Sequence, residues 1–388
     1  MNFDLRTHTI LLTVAGSRAY GIHKPTSDVD VKGVAIPPED YFLGYLKNFE
    51  QADKPTQIGV FLEDMTPEEQ EISEREKLEG SVYGLRKFIG LAADGNPNIL
   101  DALFCREDEV RICTPLGRLL RDNRGLFISA KCKWTFSGYA KSQLGRIRRH
   151  RKWLLDPPTH QPTRGEYGLP EKTLLPKDQL QAANAAVTKQ IDSWEIDFGQ
   201  LEDAEKIRIQ MAVAEALTEI RVSLGFGSTE DAKWLAAARM VGLDENLIYV
   251  MQKEREYDSA RRHYKQFRTW EKNRNPARAA LEREFGYDTK HAGHLVRLLR
   301  MGREIMETGK VHVWRGPGPD SPNDAEEIVA IRNGSWNYDD LVEWADAEDA
   351  ALDVLYKQRG YKDIIPSQPN RKAIDELCIR MVKTALDL

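Results

Sequence analysis

Residues 14–31 read Val-Ala-Gly-Ser-Arg-Ala-Tyr-Gly-Ile-His-Lys-Pro-Thr-Ser-Asp-Val-Asp-Val. The run just before and into it, residues 8–15 (HTILLTVA), is short, apolar and rich in β-formers. It predicts a buried strand that ends in a turn at Gly16. A strand that turns into a helix at Gly16-Ser17 leaves backbone N–H groups unpaired. With the Ser17 hydroxyl and the side chains of Arg18 and Ser27, they form a cradle for phosphate oxygens. Glycine lets the backbone approach an anion that a side chain would keep away.

Residues 18–27 then return the chain to a second strand, 28–36 (DVDVKGVAI), which alternates polar and apolar side chains and closes at Pro37-Pro38. Asp28 and Asp30 stand two apart, so both face the same side, while Val29 and Val31 face the core. Two carboxylates on one face beside a triphosphate cradle repel unless cations neutralise them. Mg²⁺ suits them, because it takes carboxylate, phosphate and water oxygens. Nucleotidyl transfer through two such ions calls for a third acid. Glu63, Glu74, Glu76 and Glu79 are the candidates. Glu79 is favoured, because it opens the short strand that leads into YGLRKF.

Outward from this motif, residues 40–72 are mixed, and the acidic run EDMTPEEQEISERE (63–76) reads as solvated. A third strand is expected around 77–82, followed by a helix over 83–93. Asn96 before Pro97 predicts an N-cap, with NILDALF as the helix behind it. From about 126 the chain reads as long helices, at 133–155, 178–197, 202–224, 229–241, 245–273, 276–285 and 289–307. A long loop, 156–178, interrupts them, and a Gly/Pro-rich stretch begins at Arg315. The expected class is α+β: a small mixed β-sheet domain over 1–125 and a mostly helical domain over 126–388, with the site in the cleft between them.

The chain has 388 residues, enough for two cores. With 30% charged and 41% hydrophobic residues it has a globular composition. A net charge of -5 argues against a uniformly basic nucleic-acid coat but leaves room for a local basic groove. The four cysteines are scattered without zinc spacing, which predicts reduced thiols. ILLTVA is too short for a signal core or a membrane span, so a cytoplasmic location and no membrane partner are expected.

The motif Gly16-Ser-Arg-Ala-Tyr-Gly21 followed by Ser27-Asp-Val-Asp30 resembles the polymerase-β nucleotidyltransferase superfamily. Tyr83-Gly-Leu-Arg-Lys-Phe88, Gly95-Asn-Pro-Asn-Ile-Leu-Asp101 and Tyr287-Asp-Thr-Lys-His-Ala-Gly-His-Leu-Val-Arg297 are similar to its bacterial and phage branch, which includes predicted RNA-repair-pathway members. The resemblance implies transfer of a nucleoside monophosphate from an NTP, dependent on Mg²⁺ (two ions, with Mn²⁺ as a substitute). Gly16 and Ser17 match the phosphate-binding turn. Asp28 and Asp30 match the metal ligands, and Glu79 matches the third acid, where the family more often has Asp. An RNA acceptor, such as a tRNA 3′ end, is implied.

Further along, Lys290, His294 and Arg297 share one helical face, and Ala292, Leu295 and Leu298 lie on another. The first set reads either as a solvated basic face or as a triphosphate clamp, with lysine as a point charge and arginine as a fork. Residues 131–152 carry nine Lys, Arg or His residues and no acid, with aromatics interleaved. That segment reads either as surface cations over core aromatics or as a nucleic-acid contact through Lys141, Arg146 and Arg149. Three other functions compete: AMP transfer to a protein or small molecule, a non-catalytic nucleotide sensor or antitoxin-like partner, and an RNA-binding module without chemistry. Retention of both Asp28 and Asp30 argues against the sensor. The last reading leaves the glycine-serine and aspartate pair unexplained.

Overall fold

The computed structural model describes residues 3–25, 27–75, 78–173, 175–193 and 229–387. The chain divides into two compact units, Met1–Asp156 with Asn275–Leu388, and Pro157–Arg274. The helix expected over 202–224 and the candidate acid Glu76 lie outside the described residues.

The first unit is built on a five-stranded sheet of order β3-β4-β2-β1-β5. Its strands are β1 (Thr9–Ala15), β2 (Asp30–Ala35), β3 (Gln51–Ala52), β4 (Glu79–Gly84) and β5 (Val110–Cys113). β1 pairs antiparallel with β2 and β5, while β2 and β4 run parallel, so the sheet is mixed as expected. Side chains alternate between its faces. Leu12, Val29, Val31 and Val82 pack with Ile58, Phe61 and Met65 on one side. Leu11 and Val34 join the large helical core on the other.

That larger core draws on both ends of the sequence. It includes Phe88 of α4 (Leu85–Ala93), Leu100 of α5 (Pro97–Phe104) and Phe136 of α7 (Lys131–Leu155). Leu295 and Val296 come from α12 (Thr289–Thr308), Ile328 from α13 (Ala325–Arg332) and Leu352 from α14 (Tyr338–Lys357). Each such side chain, fully buried, contributes roughly 1.5–3 kcal/mol. Two shorter helices, α1 (Gly16–Ala19) and α6 (Pro115–Asp122), flank β1, and α15 (Arg371–Ala385) packs on α4 and α6. α11 (Pro276–Phe285) leads into α12.

Local signals hold where they were strong. Asn96 caps α5 by accepting from the Asn98 N–H at 3.0 Å. Ala292, Leu295 and Leu298 are buried. The acidic stretch behaves differently from a solvated run. After α2 (Pro55–Ile58), it forms α3 (Pro67–Arg75), and Glu69 is buried. Thr66 and Glu69 cap α3 reciprocally, the Thr66 N–H donating to Glu69 at 2.9 Å and the Glu69 N–H to Thr66 at 3.3 Å. The same carboxylate receives Arg111 of β5 at 2.6 Å, which fastens α3 to the sheet.

The second unit contains α8 (Lys177–Asp192), α9 (Thr229–Met240) and α10 (Glu245–Lys272). It has its own small core, including Val187, Trp234, Ile248 and Met251. The long loop includes a 3-10 turn, Gly165–Tyr167, and Arg164 in that loop pairs with Glu254 of α10 at 2.5 Å. Among the described residues the four cysteines are free thiols, and no helix is long and apolar enough to cross a membrane.

Candidate active site

β1 ends where Gly16 takes a left-handed conformation, φ +64°. The chain makes one helical turn, α1, and then loops to β2. A Cβ on Gly16 would lie 2.4 Å from Oδ2 of Asp30, so the backbone and this carboxylate meet with no room for a side chain. The strand register explains the meeting: Ala15 is opposite Asp30, and Asp30 is opposite Glu79 on the parallel neighbour. The end of β1 and the starts of β2 and β4 therefore gather Gly16, Asp30 and Glu79 at one edge of the sheet. Asp28 precedes β2 by two residues. Burial raises the Asp30 carboxyl above its ordinary range, and the like charges of Asp28 and Glu79 add to the rise, against the pull of Lys32 and Lys290.

The connecting loop is held firmly. Arg18 is buried, and its guanidinium donates to the backbone carbonyls of Ser27 (3.0 Å) and Asp28 (3.2 Å). It thus sets the backbone that carries Asp28. The Ser27 hydroxyl accepts from the Lys24 N–H at 2.9 Å, which closes a turn. Ser17 sits half-buried beside Gly16.

The far end of the sequence grips the same loop. The Arg332 guanidinium donates to the Ile22 carbonyl at 2.7 Å, and the Arg315 N–H donates to the Tyr20 carbonyl at 3.1 Å. Gly21, at φ +70°, lies so close to the Trp314 ring that a Cβ would sit 2.7 Å from it. Arg315 is completely buried and pairs with Glu304 (2.8 Å) and Asp324 (2.6 Å). The Gly/Pro-rich stretch beginning at Arg315 is thus part of a docking element for the turn. No local pattern in the sequence distinguishes a buried arginine from an exposed one.

The expected helical face divides. Lys290 is exposed, and its charge is felt at Asp30. His294 is half-buried. Burial, reinforced by Arg297, His291, Arg332 and Lys290, holds its imidazole well below the usual range, so it is neutral at pH 7. Arg297 is only 3% exposed. Its guanidinium lies over the Tyr20 ring at 3.7 Å and approaches Asp101 Oδ2 at 3.4 Å. The Tyr20 hydroxyl donates to that same oxygen at 2.5 Å. Arg297 thus acts from beneath the turn.

Three cations of the basic helix α7 are matched by acids of α14. Lys133 pairs with Asp353, Lys141 with Asp349 (2.8 Å) and Arg148 with Asp346 (3.6 Å). Arg146 and Arg149 are exposed.

One group of His, Asp or Glu side chains among the described residues has its ligating atoms within 4.8 Å of one another: His150, Asp288 and His291. Asp28, Asp30 and Glu79 are not drawn together so tightly. Asp288, however, is already paired with Arg278 and caps α12, accepting from the His291 N–H at 3.2 Å. The helix cap and its ion pair account for that cluster.

Residues 4–155 match the family described as RlaP, RNA repair pathway DNA polymerase beta family. A 141-residue stretch is 29% identical to an uncharacterised 38.9 kDa protein from the nrdC-mobD intergenic region of Enterobacteria phage T4, covering 36% of this chain and 38% of that protein. The match thus spans well under half of that relative's length. No solved structure matches. The glycine-serine turn, the aspartate pair and Glu79 all fall within the matched segment, which is where the chain is similar to the RNA-repair branch of the polymerase-β family.

Proposed function

We propose that this protein is a Mg²⁺-dependent nucleotidyltransferase that transfers a nucleoside monophosphate from an NTP to a hydroxyl acceptor, an RNA 3′ end being the favoured one. The observation that carries the reading is the close approach of the Gly16 backbone to Asp30, with Asp28 before it and Glu79 opposite it on the next strand. Asp28, Asp30 and Glu79 offer hard oxygen donors, and their mutual repulsion at Asp30 is of the kind that a divalent cation relieves. They are the residues that would hold Mg²⁺, which when bound supplies charge neutralisation for the phosphates and acidifies the attacking hydroxyl.

The protein's own groups do the rest. Gly16 and Ser17 bind the β- and γ-phosphates. Asp30 and Glu79 take the proton from the acceptor hydroxyl. Its oxygen bonds to the α-phosphorus while the bond to the β-phosphate breaks, and pyrophosphate leaves with that electron pair. Lys290 neutralises the charge that develops. Arg297 and Arg18 keep the turn and Asp28 in place.

A second reading, AMP transfer to a protein or small molecule, draws support from α7, whose cations Lys133, Lys141 and Arg148 are satisfied within the chain. Incubation with Mg²⁺, each α-labelled NTP and total RNA separates the two. Label on RNA, lost in the Asp28→Ala/Asp30→Ala variant, supports the first reading. Label only on protein or a small molecule supports the second. Tight NTP binding with no transfer to any acceptor sinks both in favour of a sensor.

A further inference from the structure

β2 carries one more charged residue on the face of Asp30. Lys32 lies two positions further along, so its side chain leaves the sheet on the same side. In the flanking strands Thr13 and Ser81 stand opposite it. One step beyond, Val34 is fully buried in the helical core. Lys32 therefore marks the border between the polar edge and the apolar interior, and it is half-buried there.

Its surroundings hold one feature that the proposed chemistry does not use. Among the described residues no carboxylate lies within ion-pair distance of the Lys32 ammonium, and no hydrogen bond to it is made. The charged groups whose field reaches it are Asp101, Asp30 and Arg297. Asp101 is committed through one oxygen. Its Oδ2 receives the Tyr20 hydroxyl and Arg297, and its Oδ1 is sealed from solvent without a partner. Asp30 faces Gly16. A half-buried ammonium without an acceptor is unfavourable unless an anion completes its bonding. Tyr20 and Arg297 occupy Oδ2 of Asp101, and neither oxygen of that carboxylate lies within ion-pair distance of the Lys32 ammonium.

We propose that Lys32 is an anion-binding residue of this site, its ammonium donating to a phosphate oxygen of the bound triphosphate from the floor of the sheet. The inference rests on the reading of Gly16, Asp28, Asp30 and Glu79 as a nucleotide site. It also accounts for a lysine in a position where an apolar residue would suit the sheet better. Such a residue is expected to lower the stability of the free protein while raising its affinity for the ligand.

The test uses the full chain with Mg²⁺ and inorganic tripolyphosphate as the probe, comparing wild type, Lys32→Met, Lys32→Arg and Asp28→Ala. Affinity is measured by calorimetry, and the melting temperature is measured without ligand. The expected result is that Lys32→Met melts at or above wild type yet binds tripolyphosphate at least about tenfold more weakly, the loss of one charged hydrogen bond. Lys32→Arg should restore most of the affinity. Wild-type affinity in Lys32→Met, with binding lost in Asp28→Ala, overturns this inference and leaves the site reading standing. A lower melting temperature in Lys32→Met than in wild type makes Lys32 a structural residue and also overturns it. No binding by wild type overturns the site reading itself, and this inference with it.

Discussion

The backbone of Gly16 and the carboxylate of Asp30 are so close that a Cβ on the glycine would lie 2.4 Å from Oδ2. Two constraints meet at this position. The residue needs φ +64°, and it needs no side chain. Gly16→Ala should therefore lower stability by about 1–3 kcal/mol, the usual range for a strained non-glycine backbone. It should also displace Asp30 and reduce transfer by more than the folded fraction explains. Denaturant unfolding and the transfer assay, run on the same preparation, check this. Full turnover in the alanine variant would show that Asp30 need not stay against the turn.

Asp30 supplies a prediction with a definite sign. Burial, Asp28 and Glu79 raise its carboxyl above the unfolded value, so its ionisation favours the unfolded chain. Asp30→Asn should then raise the melting temperature of the free protein near pH 7. The gain should shrink as the pH falls through the raised value and vanish below the unfolded carboxylate range near ~3.9. The same substitution should abolish Mg²⁺-dependent transfer. A variant that is less stable at neutral pH would contradict the burden assigned to Asp30.

Lys290 and Arg297 share a helical face but should respond differently. Lys290 is exposed, so Lys290→Ala should leave stability within about 0.5 kcal/mol and weaken nucleotide binding. Arg297→Met leaves the Asp101 carboxylate buried without its cation and should cost about 3–5 kcal/mol. Unfolding curves and nucleotide titrations of the two variants separate these roles. Equal destabilisation by both would contradict the division of the face.

The histidines of α12 make an acid-side prediction. Burial is the largest cause that lowers His291 to about 4, and it also holds His294 well below its ordinary value. A depressed histidine contributes stability that is present above the unfolded value, near ~6.5, and lost as the pH falls. Stability should therefore decline between pH 6.5 and about 4 for His291. His291→Gln/His294→Gln should flatten that slope whatever it does to the absolute value. An unchanged slope in denaturant titrations would show that other groups carry the acid response.

The backbone of the candidate site could be read from the chain because its parts are local. A strand, a glycine-serine turn and two aspartates at a spacing of two are each set by neighbouring residues. Val29 and Val31 facing inward follow from the strand period alone. Features that depend on distant partners were not legible. The two-residue β3 and four-residue β5 are too short for a period, and Glu69 in an acidic run is buried only because Arg111 reaches it. The burial of Arg297 is not legible, because Tyr20 and Asp101 lie almost two hundred or more residues away. The acids that answer α7 sit on α14, again some two hundred residues further on. Composition within a helix cannot reveal such pairing.

Attack at the α-phosphate by a hydroxyl expels pyrophosphate, so the leaving group reports on it. Wild type and Asp28→Ala/Asp30→Ala would be incubated with Mg²⁺, each NTP and total RNA, and released pyrophosphate and orthophosphate measured together. Pyrophosphate is expected from at least one NTP, in step with transferred label and absent from the double variant. Orthophosphate in its place, or pyrophosphate at the same rate from the double variant, would contradict it.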